Sequence, residues 1–190
     1  MSTELQNGWI TYIRDFIDQK EAERIYEELL QATAWMQGNI KLFGKVYQTP
    51  RKEAFYSLNG EAYGYSGQRL VSQPFTPLLF ELKKRIELHC GQTFNSVLIN
   101  LYRDGQDSNG WHADNEPELG KNPLIASLSF GAERNFDLQH QLTKEKIRIV
   151  LHPGSLLIMG GELQHFWKHQ IPKSKAISTP RINLTFRKII

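Results

Sequence analysis

Cysteine is all but missing from this chain. Cys90 stands alone among 190 residues, so no internal disulfide can form, which fits a reducing compartment. No uninterrupted apolar run approaches the roughly 20 residues needed to span a bilayer. The start, Met1-Ser2-Thr3-Glu4, lacks the charged-then-apolar pattern of a secretory leader. These absences point to an intracellular protein without a membrane partner, cytoplasmic in a bacterium or nuclear in a eukaryote. Internal repeats, linkers and low-complexity tracts are missing too, and no heptad pattern suggests a coiled coil, so a monomer is expected. With 40% hydrophobic and 23% charged residues, the composition suits one domain over residues 1–190 with a real core.

Charge of one sign is missing locally. The net charge is only +3, yet residues 163–190 carry six Lys/Arg and no acid, whereas residues 1–34 carry seven acids against three bases. A second acid-free stretch, residues 39–52, sets Lys41, Lys45, Arg51 and Lys52 among Leu42, Phe43, Val46 and Tyr47. Basic residues interleaved with aromatics suit a phosphate backbone with bases beside it. A hairpin edge protected by lysines would carry the same pattern.

Two helices are expected before a run of strands. Asp18 followed by Glu21 reads as a capping box, and Ala22, Ile25, Tyr26, Leu29 and Leu30 then recur on one helical face. Thr76-Pro77 starts a second helix that turns Leu79, Leu82 and Ile86 inward and stops at Gly91. The period then changes: residues 96–102, 124–130, 135–138, 147–152, 155–159 and 182–187 are short, rich in β-branched or aromatic residues, and separated by turn residues. Six such strands after two helices predict a mainly β chain with flanking helices, a double-sheet jelly roll with N-terminal helices packed outside. Residues 1–90 would hold the helices and 91–190 the jelly-roll core.

His112 and Asp114 stand two apart, a spacing that turns both side chains to one side of an extended segment. With 6 histidines and 20 acids the pattern H-x-[DE] is expected by chance roughly 0.6 times. The pair gains weight from its surroundings: Asn100-Leu101-Tyr102 before it, Gln164-His165-Phe166-Trp167 after an apolar run, and Arg181-Ile182-Asn183-Leu184-Thr185-Phe186-Arg187 near the end. Two imidazoles and a carboxylate on one face of an iron ion leave three positions open. His165 is taken as the third ligand, with His169 on the same side of an extended strand as its close rival. His89, His140 and His152 read as surface or structural residues. Arg181 and Arg187, six apart, face one way along a strand, and a guanidinium fork matches a small dicarboxylate in a buried site.

Together these blocks resemble the AlkB family of Fe(II)- and 2-oxoglutarate-dependent dioxygenases, and more narrowly its duplex-DNA-repair branch. The likeness runs from about residue 40 to the end, through Pro50-Arg51-Lys52, Gly91-Gln92-Thr93-Phe94-Asn95, Ala126-Ser127-Leu128-Ser129-Phe130-Gly131-Ala132 and the terminal R-x-N-L-T-F-R. Residues 1–39 add only a helix that many folds could carry. The resemblance implies that His112, Asp114 and His165 bind Fe(II). It implies that Asn100, Tyr102, Arg181, Asn183, Thr185 and Arg187 line the 2-oxoglutarate site, one arginine at the distal carboxylate and the other near the metal. Dioxygen is the second co-substrate. The implied reaction hydroxylates a methyl group on a base nitrogen, with 2-oxoglutarate going to succinate and the methyl group leaving as formaldehyde.

The same resemblance places substrate recognition in the first 120 residues. A base attacked at its Watson–Crick edge must be flipped out and stacked in a pocket. Tyr63-Gly64-Tyr65 resembles the segment that lays an aromatic ring over it. Leu42-Phe43-Gly44-Lys45 resembles an intercalating finger, in which Phe43 fills the vacated stack and Lys45 meets phosphate. Glu116 suits a cationic base such as N1-methyladenine or N3-methylcytosine. Asn115 departs from many relatives, which carry an acid there, and Tyr65 departs from the phenylalanine common in this branch. The expected partner is therefore alkylated DNA, double-stranded by the finger. Two other readings compete: an oxygenase acting on RNA or protein, and a non-catalytic nucleic-acid-binding jelly roll that keeps a metal for structure. A structural zinc site would normally be closed by four protein ligands, often with cysteine, and Cys90 has no partner cysteine.

Overall fold

The computed structural model describes residues 2–42, 45–60, 63–65 and 68–190, without the side chains of residues 40–42, 63–65 and 68–70. The chain opens with strands β1 (Ser2–Leu5) and β2 (Gly8–Ile13), followed by helix α1 (Gln19–Ala32). Strands β3 (Met36–Leu42), β4 (Lys45–Ser57), β5 (Tyr63–Tyr65), β6 (Gln68–Leu70) and β7 (Ser72–Gln73) lead to helix α2 (Pro77–Cys90). Then come β8 (Ser96–Tyr102), β9 (Asn109–His112), β10 (Ile125–Gly131), β11 (Arg134–His140), β12 (Lys146–Leu151) and β13 (Leu156–Gly160). A four-residue helix α3 (Leu163–Phe166), β14 (Trp167–Ile171) and β15 (Arg181–Arg187) complete the order.

Both long helices begin and end as their caps dictate. The Asp18 side chain accepts from the Glu21 amide at 2.9 Å, and Thr76 accepts from Leu79 at 3.2 Å. Gly91 closes α2 in the left-handed conformation at φ 66°, which glycine takes without a Cβ penalty.

Among the described residues the strands form a major sheet in the order β1-β2-β13-β10-β15-β8-β4-β3, with β7 beside β4. A minor sheet follows the order β12-β11-β14-β9, and β5 pairs with β6. The two large sheets make the expected jelly-roll sandwich, but its N-terminal part is more than helices. The hairpin β1–β2 extends the major sheet by pairing β2 with β13, and β4 runs beside β8 over six residue pairs. Residues 1–90 and 91–190 therefore share one sheet. The short strand Asn109–His112 lacks the apolar run that announces a strand in sequence.

The major sheet is covered on both faces, so β8 and β15 are buried along their whole length. Alternate residues Val97, Ile99, Leu128, Leu184 and Phe186 pack with Ile25, Leu29, Leu79, Leu82 and Ile86 of the helices. The other set faces the minor sheet, where Leu98, Ile125, Leu157 and Met159 meet Phe136, Leu138 and Trp167. That inner face also carries the polar residues Asn100, Ser127, Asn183 and Thr185, all buried. Buried polar residues on a sandwich face need partners, and here they gather around one cavity. Among the described residues no helix is long and apolar enough to cross a membrane.

Gly131 ends β10 at φ 79°, and a Cβ there would lie 2.5 Å from the Pro180 carbonyl oxygen. Gly131→Ala should destabilise the fold by about 2 kcal/mol or more. Urea unfolding checks this, and an unchanged midpoint would show that the junction of β10 with β15 is looser than described.

Candidate functional site

Strand pairing brings two histidines together. His112 ends β9, His169 lies in β14, and the two are direct cross-strand partners with ring centroids 4.2 Å apart. Asp114 follows two residues after His112, and donor atoms of His112, Asp114 and His169 all lie within 4.8 Å of one another. The aspartate and His169 are buried while His112 is partly open. This is the two-histidine, one-carboxylate set expected of a non-haem iron site.

The third member is His169, not His165. The apolar run of β13 does not continue as a strand through His165; it gives way to α3, across which the chain passes from the major sheet to β14 of the minor sheet. That turn leaves His165 exposed, its carbonyl accepting from Gln141 at 2.8 Å. Its neighbour Gln164 is the residue that reaches the site, its Oε1 accepting from the Asp114 amide at 2.9 Å. His169 instead sits on the inner face of β14 with its ring stacked on Phe136 at 5.2 Å.

The donor set fits a metal ion. Asp114 Oδ1 is buried without a hydrogen-bond partner among the described residues and lies 3.8 Å from His112 Nε2. His112 Nδ1 bonds the Gly110 carbonyl at 2.7 Å, which makes Nδ1 the protonated nitrogen, and Nε2 accepts from Asn109 Nδ2 at 3.2 Å, a lone pair that a bound metal would take in place of that amide. The second carboxylate oxygen, Oδ2, accepts from Arg187 Nη2 at 2.7 Å. Burial works to raise the Asp114 pKa, but Arg187 and the two imidazoles outweigh it and hold the carboxyl well below the usual range. Burial holds His169 down to about 3, helped by His112 and Arg187 and opposed by Asp114. His112 is lowered as well, again chiefly by burial. Two neutral imidazoles and an ionised carboxylate are the protonation states a metal requires.

Beyond this triad the cavity is lined by Asn100, Tyr102, Ser127, Asn183, Thr185 and Arg187. Three residues of β15 line it, Asn183, Thr185 and Arg187, and strand alternation puts Arg181 on the same face one step beyond Asn183. Arg181 is fully buried, and its Nη2 donates to Ser129 Oγ at 2.9 Å and to Asn183 Oδ1 at 3.2 Å. Its Nε and Nη1 have no hydrogen-bond partner, and no carboxylate pairs with it, among the described residues. Its guanidinium stands over the Tyr102 ring at 5.3 Å, and burial pulls its pKa down to about 10. A buried cation with unused donors is an anion receptor.

The remaining sequence candidates divide. Arg51, read in sequence as part of a phosphate-facing basic stretch, is instead buried in β4, where its Nε donates to Asn100 Oδ1 at 2.9 Å. Glu116 is half-buried just before the 3-10 turn Pro117–Leu119, whereas Asn115 is exposed. Lys45 is exposed at the start of β4, and Leu42 pairs with it across the hairpin. Phe43 and Gly44 lie outside the described residues. Tyr63, Gly64 and Tyr65 form β5, but their side chains lie outside the description. Gln164 and Arg134 are site neighbours that carried no sequence signal, since a single glutamine or arginine has no diagnostic spacing.

Two outcomes follow for the purified protein. His169→Ala should weaken Mn(II) or Fe(II) binding at least a hundredfold in calorimetry, whereas His165→Ala should leave it within about threefold. The reverse pattern would restore His165 as the ligand. In the metal-free protein, the folded state refuses a proton on His169 that the unfolded chain accepts below about pH 6.5. Stability should therefore fall as pH drops from about 6.5 toward 4.5, above the carboxylate range, and His169→Gln should flatten that slope in melting experiments. An unaltered slope would assign the acid sensitivity elsewhere.

Comparison with known proteins agrees with this geometry. Residues 9–187 match the model of the 2OG-Fe(II) oxygenase superfamily. The chain is 41% identical over 181 residues to the Bos taurus protein "DNA oxidative demethylase ALKBH2", covering 90% of this chain and 65% of that protein. It is 44% identical over 185 residues to the Homo sapiens protein "Alpha-ketoglutarate-dependent dioxygenase alkB homolog 3", covering 92% of this chain and 64% of that one. The chain thus spans a little under two thirds of the length of these relatives. A solved structure titled "The structure of OsALKBH1" superposes with a TM-score of 0.67 at 16% identity, covering 98% of this chain and 100% of that chain, which shows a shared fold. The chain belongs to the AlkB branch of the 2OG-Fe(II) oxygenase superfamily, whose chemistry uses Fe(II), 2-oxoglutarate and dioxygen.

Proposed function

We propose that this protein is a DNA oxidative demethylase that repairs N1-methyladenine and N3-methylcytosine, preferentially in duplex DNA. The observation that carries the oxygenase part is the cavity into which the His112, Asp114 and His169 donors open, with the buried Arg181 guanidinium, paired with no acid among the described residues, on the same face of β15 as the lining residues Asn183, Thr185 and Arg187. The names of the similar proteins, one a DNA oxidative demethylase, support the substrate class.

His112, Asp114 and His169 would hold iron, with Gln164 fixing the Asp114 backbone and Arg187 fixing its carboxylate. Arg181 would receive the distal carboxylate of 2-oxoglutarate with Ser129 and Asn183 completing the fork, and Asn100, Tyr102 and Thr185 would form the walls. Bound iron supplies the centre at which dioxygen oxidises both co-substrate and methyl group, converting 2-oxoglutarate to succinate and carbon dioxide. The residues around it contribute placement and exclusion of water. The hydroxymethylated base then sheds formaldehyde without a protein base.

On the substrate side, Lys45 stands exposed on the hairpin limb, suited to phosphate, and half-buried Glu116 follows the metal strand, suited to a base made cationic by methylation. Assigning Phe43 and Gly44 to a wedge, and Tyr63, Gly64 and Tyr65 to the flipped-base platform, rests on the sequence resemblance. The duplex preference rests on it too.

The decisive experiment supplies anaerobically Fe(II)-loaded protein with 2-oxoglutarate, oxygen and a duplex oligonucleotide carrying one N1-methyladenine. Succinate and formaldehyde should appear in step with wild type and fall at least a hundredfold with His169→Ala. Succinate without formaldehyde would keep the oxygenase and reject this substrate, and neither product would reject both. Equal rates on duplex DNA, single-stranded DNA and RNA, unchanged in Phe43→Ala, would remove the duplex preference.

A further inference from the structure

Arg134 opens β11 at 2% exposure, yet among the described residues no carboxylate pairs with it. Its guanidinium donates to three backbone carbonyls instead: Nη1 to Asp104 at 3.1 Å, and Nη2 to Asp107 at 2.8 Å and Pro172 at 2.7 Å. These carbonyls belong to two connections that matter. Residues 103–108 join β8, which carries Asn100 and Tyr102, to β9, which carries His112. Residues 172–180 join β14, which carries His169, to β15, which carries Arg181. One buried side chain therefore ties the segments beside both histidines to the strand of the anion receptor.

The two connections are pressed together where Arg134 holds them. The Gly105 amide donates to Ile177 O at 2.8 Å, and the Ser174 amide donates to Gly105 O at 2.7 Å. A Cβ on Gly105 would lie 2.0 Å from the Ser174 carbonyl oxygen, so only glycine fits. Within the first connection, Asp107 accepts from Arg103 Nε at 2.7 Å and from the Arg103 amide at 2.9 Å.

Arg134 also reaches the anion receptor through Tyr102. Its guanidinium stands over that ring at 5.5 Å, while the Arg181 guanidinium stands over the same ring at 5.3 Å. A ring face attracts each cation, which helps two like charges to share a buried site. Their mutual repulsion raises the positive potential at Arg181, and an arriving carboxylate relieves it. In keeping with this, Arg134 adds to the burial that pulls the Arg181 pKa down.

We infer that Arg134 is a positioning residue for the co-substrate: without touching it, Arg134 clamps the two connections and, from beyond Tyr102, strengthens the hold of Arg181 on the distal carboxylate. This rests on the reading that Arg181 receives that carboxylate.

The test compares two co-substrates in calorimetry on Mn(II)-loaded protein: 2-oxoglutarate, and 2-oxopentanoate, which has the same chain length but no distal carboxylate. Arg134→Gln, which keeps donors but removes the charge, should weaken 2-oxoglutarate about tenfold and 2-oxopentanoate less than threefold, with Mn(II) affinity retained. Equal weakening of the two, or none, would reduce Arg134 to an ordinary structural residue and overturn the inference. Arg134→Lys, which keeps the charge without the fork, should retain the preference for 2-oxoglutarate even where both affinities drop. Loss of that preference in the lysine variant would likewise overturn the inference, and this arm stands if the glutamine variant does not fold. Wild-type protein that binds both compounds equally would remove the Arg181 reading itself, and the inference with it.

Discussion

The contact on which this site depends is the buried ion pair between Arg187 and Asp114, 2.7 Å long with both side chains nearly inaccessible. A carboxylate in a dry interior would normally take up a proton, because desolvation penalises its charge. Arg187 reverses that preference, so Asp114 stays ionised where a neutral acid could not serve as a metal ligand. The pairing is also geometric. Arg187 occupies Oδ2, and Oδ1 remains without a hydrogen-bond partner among the described residues on the side of His112. Removing one member of such a pair typically costs ~3–5 kcal/mol because its partner is left charged and alone. The acceptor left over, Oδ1, is the one that a bound cation would satisfy.

The pair can exist only because β15 lies in the middle of the major sheet. Its alternation sends Ile182, Leu184 and Phe186 into the helix-backed core and Asn183, Thr185 and Arg187 into the cavity, with Arg181 bonded to Asn183 on the same face. Four polar residues on a buried face would be costly in a plain sandwich. They are tolerated because Asn183 donates to Ser127 Oγ and Leu128 O, Arg181 donates to Ser129 Oγ, and Arg187 meets Asp114. Stability and function pull together here, since each satisfied polar residue also fixes a wall of the cavity.

Much of this was legible in the sequence, and the exceptions are physical. Caps and apolar periodicity defined α1 and α2 because Asp18, Thr76 and Gly91 act within one turn of chain. The i, i+2 rule paired His112 with Asp114 because both lie on one extended segment. The third ligand failed for a related reason. His165 and His169 are equivalent only if the chain is extended through both, and His165 lies instead within the four-residue helix that ends at Phe166. That helix carries the chain from the major sheet to the minor one, a tertiary demand that local propensity does not record. The hairpin β1–β2 joins the sheet only through the pairing of β2 with β13, which lies some 150 residues away in sequence.

The two guanidiniums of β15 have opposite tasks despite their shared strand. Arg187 is spent on a carboxylate of the protein and sets the charge of a ligand. Arg181 is withheld from every carboxylate among the described residues, held by neutral oxygens and an aromatic ring, and so keeps its charge for something from outside. A molecule that Arg181 receives must be anionic at that end. Its other end must reach the open side of the triad. A small dicarboxylate with a chelating head meets both demands, which is why the charge arrangement along one strand, more than the triad alone, distinguishes this cavity from a simple metal site.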